Sequence, residues 1–202
     1  MSKKTIVSLI LLALLIFGGG YYAIQRITAS TPSPSQTQAA TTHTSKKNGK
    51  ALILYYSNSG TTETAAKYLQ RKTGADLIKL KLSPAYPTDY SKLVTVAKRQ
   101  IDRNSRPKIT NTPNLKSYKT IYLGFPTWYH RPPMFINTFF EANTLRGKTV
   151  IPFTTSMSSP ISVSTPYLKR MAKGKALTLQ PGFRANNEST INRYLKQHHL
   201  ID

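Results

Sequence analysis

From residue 51 onward the chain alternates short apolar runs with longer segments of helical spacing. Ala51–Tyr56 is apolar throughout and reads as a strand buried on both faces. Glu63–Arg71 follows as a helix, with Ala65, Ala66, Tyr68 and Leu69 facing inward and Gly74 just past its end. Asp76–Leu82 alternates like a strand, with Ile78, Leu80 and Leu82 opposite Lys79 and Lys81. Helices over Tyr90–Asp102, Pro133–Glu141, Ser164–Ala172 and Glu188–His199 then interleave with strands over Thr120–Gly124, Thr149–Phe153 and Lys175–Leu179. Parallel strands need crossover helices, so this order predicts a five-stranded doubly wound parallel sheet between helical layers, an α/β/α sandwich. About 150 residues are enough for one domain with a sizeable core. Ligands of such sheets sit beyond the carboxyl ends of the strands, at a switch point. That brings together three loops: Ser57–Thr62, Phe125–Arg131 and Thr154–Pro160.

The first loop carries the clearest chemistry. A buried strand stops at Ser57-Asn58-Ser59-Gly60-Thr61-Thr62, and a helix opens directly after it. Backbone N–H groups and hydroxyls converge in such a turn, and the helix N-terminus adds partial positive charge. A phosphate is the natural guest. The loop has no lysine and no terminal Gly-Lys-Ser/Thr, so it is not a Walker loop. It also lacks the three spaced glycines of a dinucleotide fingerprint. Ser, Asn and Thr also cap helices for purely structural reasons, so the loop alone leaves both readings open.

The residues before the domain have a different character. Lys3 and Lys4 precede a charge-free stretch from Thr5 to Gln25, which Arg26 closes. At 1.5 Å per residue it would span roughly 31 Å, about one hydrocarbon core. Residues 1–27 are therefore expected to be a signal peptide or a transmembrane anchor. A cleavable signal would use Ile6–Phe17 and end near Ala29; an anchor would use the whole stretch. Residues 28–49 are Thr-, Ser-, Pro-, Gln- and Ala-rich and read as a disordered linker before a domain at 50–202. The lysines at the start put the domain on the outer face of the membrane, or outside the cell if the signal is cleaved.

Charge narrows the partners. Of 29 Lys and Arg, 24 lie from residue 50 onward, against all seven acids, a net +17 for the domain. Such a field favours anionic partners, among them a cell-wall polymer or lipid head groups. The cations are scattered rather than run together, and with the export segment this argues against nucleic acid. The chain has no cysteine, which excludes disulfides, thiolate nucleophiles and lipoprotein attachment. His43, His130, His198 and His199 show no metal-ligand spacing, and His198 and His199 are expected on a solvated helix face. The seven acids form no acid/base pair, and Ser57 and Ser59 have no evident His/Asp partners for hydrolysis.

The domain resembles the flavodoxin family over nearly its whole length, from Ala51 to about Ile201. Ser57–Thr62 looks like that family's phosphate loop for flavin mononucleotide (FMN). Gly74-Ala75-Asp76-Leu77, Tyr86-Pro87-Thr88-Asp89-Tyr90, Leu123-Gly124-Phe125-Pro126-Thr127-Trp128 and Val150-Ile151-Pro152-Phe153-Thr154-Thr155-Ser156 resemble its small bacterial branch. The resemblance implies strand order 2-1-3-4-5 and FMN as cofactor. It implies that Ser57, Asn58, Ser59, Gly60, Thr61 and Thr62 hold the phosphate. Pro126, Thr127, Trp128, Tyr129 and His130 would line the flavin ring, and Thr154, Thr155, Ser156 and Met157 would approach it from the third loop. A flat apolar ring suits aromatic neighbours, although Trp128 read without the resemblance is an ordinary core tryptophan.

Two features depart from the family pattern. Close relatives have a glycine-rich third loop; this chain has Met157-Ser158-Ser159-Pro160. Many flavodoxins are acidic, whereas this domain is strongly basic. Ten charges about 10 Å from an anionic reduced flavin would, after screening, stabilise it by on the order of 1–2 kcal/mol, or roughly 40–90 mV for one electron. The expected function is FMN-dependent electron transfer or oxidoreduction, with a redox protein or a small molecule as acceptor. The alternatives are an FMN-dependent quinone reductase, or a flavin-free module that binds anions through its basic surface.

Overall fold

A computed structural model describes residues 49–201, and the expectations placed on residues 1–48 lie outside it. Among the described residues no helix is long and apolar enough to cross a membrane. The main elements are β1 (Lys50–Tyr55), α1 (Thr61–Thr73), β2 (Asp76–Lys79), β3 (Leu82–Ser83), α2 (Tyr90–Asp102), β4 (Lys108–Ile109) and β5 (Tyr118–Pro126). They continue as α3 (Phe135–Ala142), β6 (Thr149–Thr155), α4 (Thr165–Ala172), β7 (Thr178–Leu179), β8 (Phe183–Arg184) and α5 (Glu188–Gln197).

The principal sheet runs β2-β1-β5-β6-β7, with β8 also paired to β6. Every pairing in it is parallel. Counting only the long crossovers, this is the expected order 2-1-3-4-5. Alternate residues of the central strands point to opposite faces. Leu52, Leu54, Ile121, Leu123, Phe125 and Val150 pack under α2, α3 and α4. Ile53, Tyr55, Tyr122, Ile151 and Phe153 pack under α1 and α5. Phe135, Phe139 and Phe140 of α3 are fully buried, each contributing roughly 1.5–3 kcal/mol of apolar burial. Gly124 lies at the crowded centre, where an added Cβ would clash with the Phe153 ring.

The structure corrects the expected elements in three places. The second strand ends at Lys79 rather than Leu82, because Asn111 takes over the backbone beyond it: its Oδ1 accepts from Lys81 N–H and its Nδ2 donates to the Lys79 carbonyl. Leu82–Ser83 turns out of the sheet and pairs antiparallel with Lys108–Ile109, a strand with no two-residue signature in the sequence. The fifth position is not Lys175–Leu179 but two short strands split at Gln180-Pro181-Gly182, with Phe183 opposite Phe153 and Arg184 opposite Thr154. That split carries the last strand up to the loop end of the sheet. The final helix stops at Gln197, and His198 stacks half-buried on Tyr194 instead of facing water.

Candidate functional site

The three loops meet at the carboxyl end of β1, β5 and β6, joined by hydroxyl groups. Thr62 Oγ1 in α1 lies 2.7 Å from Thr155 Oγ1, and both residues are buried. Thr127 Oγ1 lies 2.6 Å from Thr154 Oγ1, and Thr127 N–H donates to the Thr155 carbonyl. His130 Nδ1 lies 3.1 Å from Ser159 Oγ, tying the second loop to the third. Loop positions are thus set by cross-links between strands distant in sequence.

The first loop is shaped from within. Gly60 sits at φ +92°, a conformation that side chains rarely adopt, and its N–H donates to Ser57 Oγ. Its carbonyl accepts from Thr64 N–H and so starts α1. Tyr56 Oη donates to Asn58 Oδ1, and Asn58 Nδ2 donates to the Pro87 carbonyl, which fixes the loop against the chain before α2. Burial pushes the Tyr56 phenol up to about 12, so it stays protonated at neutral pH and serves as a donor. No side chain caps the first turn of α1. By contrast, Asp89 caps α2 through Lys92 N–H, and Asn187 caps α5 through Thr190 N–H. The first N–H groups of any helix lack intrahelical acceptors, so an uncapped first turn presents them outward. Ser59 and Thr61 beside it are exposed, while Ser57 and Thr62 are buried. A cleft of about 420 Å³ opens at Ser59, Gly60 and Thr61 and is bounded across from them by Asn186 and Asn187.

Glu63, in the same first turn, does not cap either. Hydrogen bonds from Lys67 and then Lys79, each at 2.7 Å, hold its carboxyl down at about 2. Its negative charge is thereby matched locally and does not set the field of the loop.

The second loop reverses tightly. Trp128 and Arg131 exchange two backbone hydrogen bonds of 3.1 Å around Tyr129 and His130. Both central residues have positive φ, 50° and 55°, the signature of a type I′ turn that Asn and Gly usually supply. Strain of this sort persists where the surroundings enforce it, and functional sites are a common setting. Trp128 is half-buried, edge-on to Tyr86 with ring centres 4.8 Å apart. Pro126 and Thr127 are half-buried; Tyr129 and His130 are exposed.

In the third loop Thr154 Oγ1 donates to the Phe125 carbonyl, and Ser156 Oγ accepts from Ser159 N–H. Met157 is 98% exposed. Two residues absent from the sequence reading hold this loop. Arg184 Nη2 donates to the Ser156 and Met157 carbonyls at 3.0 and 2.8 Å. Asn186 exchanges hydrogen bonds with the Ser156 backbone in both directions. Only the split of the fifth strand puts them there, and no local pattern announces it.

The arrangement is an anion cradle made of backbone and hydroxyl donors, beside an aromatic turn with an exposed rim. The flavodoxin family model matches residues 50–198. The chain belongs to the flavodoxin family. A candidate flavoprotein of Bacteroides uniformis is similar at 32% identity over 74% of this chain and 99% of its own, with a TM-score of 0.65. One from Bacteroides eggerthii matches at 31% identity over 74% of this chain and 98% of its own, with a TM-score of 0.66. A flavoprotein of Lactobacillus acidophilus, solved in complex with FMN, matches at 25% identity over 72% of this chain and 98% of its own, with a TM-score of 0.60. No curated protein matches the chain. Among the described residues no His, Cys, Asp and Glu cluster could hold a metal ion.

Proposed function

We propose that this flavodoxin holds FMN at the three-loop site and passes electrons through it. The observation that carries the proposal is the uncapped α1 first turn, set in a loop of hydroxyls and facing open space at Gly60. Its donors suit a phosphate dianion without a lysine. The 25%-identical Lactobacillus relative, which contains FMN, supports the same guest.

Ser57, Asn58, Ser59, Gly60, Thr61 and Thr62 would hold the phosphate. Pro126–His130 would orient the ring through backbone groups and Trp128, and Thr154–Met157 would close on it from the third loop. When bound, FMN supplies one- or two-electron transfer, so the protein needs no catalytic acid or base. The protein's part is to position the ring, exclude water and set the surrounding charge. Arg184 and Asn186 do this indirectly, by fixing the backbone of Ser156 and Met157. The basic domain should hold the flavin at a potential less negative than that of an acidic flavodoxin.

Adding FMN to the purified full-length chain and recording its visible spectrum tests this. Saturable binding with a shifted flavin band is expected. A spectrum that remains that of free FMN would overturn the proposal in favour of a flavin-free anion-binding module. The charge pattern of residues 1–27 supports placing the domain outside the cytoplasmic membrane, on a linker over residues 28–49. Protease accessibility in intact cells checks that placement: protection of the domain would overturn it. There the exposed rim of Tyr129 and Met157 would meet a redox protein or a small-molecule acceptor.

A further inference from the structure

A second cavity lies away from the α1 loop, between α3 and α4, with a volume of about 600 Å³. Its charged lining comes from three parts of the chain: Arg131 from the second loop, Arg170 from α4, and Lys173 and Lys175 from the turn after it. Phe140 and Met171 add an apolar wall. The cavity also contains the Glu141 carboxylate, but both its oxygens already accept from Arg106 Nε, at 2.8 and 2.7 Å.

Among the described residues no acid outside the cavity is left for these cations. Glu63, Asp76, Asp102, Glu141 and Glu188 are all in ion pairs with other cations, and Asp89 caps α2. Residues 142–187 contain seven Lys and Arg and no Asp or Glu. Basic residues at a helix C-terminus are ordinarily explained by the macrodipole, and that accounts for Lys169 and Arg170. It does not account for Arg131 or Lys175, which come from other segments. Nor does it explain the packing of Arg131. That guanidinium lies 4.4 Å over the Tyr167 ring, with Arg170 5.1 Å from the same ring. Its Nη2 has only the Met134 sulfur at 3.3 Å, a weak acceptor, and its shielded Nε has no acceptor among the described residues. A half-buried arginine held over an aromatic ring, with weak or missing acceptors, is set up for an oxyanion.

We propose that the α3–α4 cavity binds a small organic phosphate, with Arg131 and Arg170 gripping the phosphoryl group and Lys173 and Lys175 adding charge at the mouth. Four cations around one cavity suit a multiply charged phosphoryl group better than a single carboxylate. The apolar wall suits an organic body attached to it. The site is separate from the FMN phosphate loop, and its occupation does not depend on flavin.

Pyrophosphate is the probe, titrated calorimetrically into the full-length chain without flavin, against sodium chloride of equal ionic strength. Because the α1 loop could also take pyrophosphate, the titration is run in a Thr61→Asp background, which places a carboxylate at that loop. Saturable binding should persist there and weaken at least tenfold when Arg131→Gln and Arg170→Gln are added. Lys173→Gln with Lys175→Gln, both outside the helices, should weaken it severalfold and covers the case in which the arginine pair fails to fold. Exchange of the remote Lys116 and Lys196 to Gln should leave it unchanged. Loss of binding on Thr61→Asp alone, or equal losses from the remote and cavity lysines, would overturn the proposal. Phosphatidylglycerol vesicles form the second arm. Retention on vesicles without pyrophosphate binding would show a lipid-facing patch instead and overturn the small-molecule reading.

Discussion

Helices α1 and α2 start in the same manner and end up with opposite roles. Both begin after a strand and a loop, both run thirteen residues, and both rest on the central sheet. At α2, Asp89 reaches back to Lys92 N–H and closes the first turn. At α1 the same position is Gly60, left-handed and without a side chain to reach with. The closed helix is complete by itself. The open one leaves donors for something that is not part of the chain. A missing stabilising contact thus says more about function than a present one. Two other helices also lack side-chain caps, but their first turns ask for less. In α3 the Ile136 and Asn137 N–H groups donate to the Pro133 and Met134 carbonyls, and in α4 Pro166 in the first turn has no N–H to satisfy.

A carboxylate at the first helical position should separate the two helices most. Thr61→Asp should weaken FMN binding at least a hundredfold, since two charges 4 Å apart at an effective dielectric of 20 repel by about 4 kcal/mol. The empty protein should become slightly more stable, because an acid suits a helix N-terminus. Tyr90→Asp, the matching exchange at α2, should leave FMN affinity within twofold. Equal losses from both, read by flavin fluorescence titration, would remove the special status of α1.

One position further in, Thr62 is buried against Thr155 whereas Ser91 is exposed. Thr62→Val strands a buried hydroxyl and should cost about 1–3 kcal/mol in a denaturant melt. Ser91→Ala should change stability by less than about 0.5 kcal/mol. At the cap itself, Asp89→Ala should cost about 1 kcal/mol, a fall of about 3 °C in Tm for a domain of this size, with FMN affinity intact.

The smallest effect is at Glu63, the third residue of α1. Its folded-state carboxyl is lowered from 4.5 to about 2, so the stabilisation it provides is complete above pH 4.5 and is lost as pH falls toward 2. Glu63→Gln should flatten the fall in stability across that window. A melt series that keeps its full acid slope in the variant would show that Lys67 and Lys79 contribute nothing through this pair.

Much of this was written in local pattern. The apolar run of β1, the hydroxyl loop and the amphipathic α1 follow each other without interruption, and each period is long enough to read. Strand order followed from the alternation together with the family resemblance. The parts that stayed hidden depend on partners far along the chain. Nothing near Arg184 or Asn186 signals that they hold Ser156, because a two-residue strand has no period. The Tyr129-His130 turn escaped notice because its geometry is usually supplied by Asn and Gly, and here packing imposes it on bulkier residues. Leu82–Ser83 continued the alternation of β2 perfectly; the Asn111 side chain and the Thr110 N–H, which donates to the Lys81 carbonyl, ended that strand early.

The turn at Trp128–Arg131 is a wall with two sides. Trp128 stands on the side of the proposed flavin site, edge-on to Tyr86, and Arg131, closing the same four residues, lines the α3–α4 cavity. A ligand on either side therefore acts on one set of backbone hydrogen bonds. If an anion beside Arg131 tightens the turn and raises affinity for FMN by some factor, FMN must raise affinity for that anion by the same factor. Trp128 is the sole tryptophan of the chain. Its emission would report both events, which makes this thermodynamic reciprocity measurable without a label.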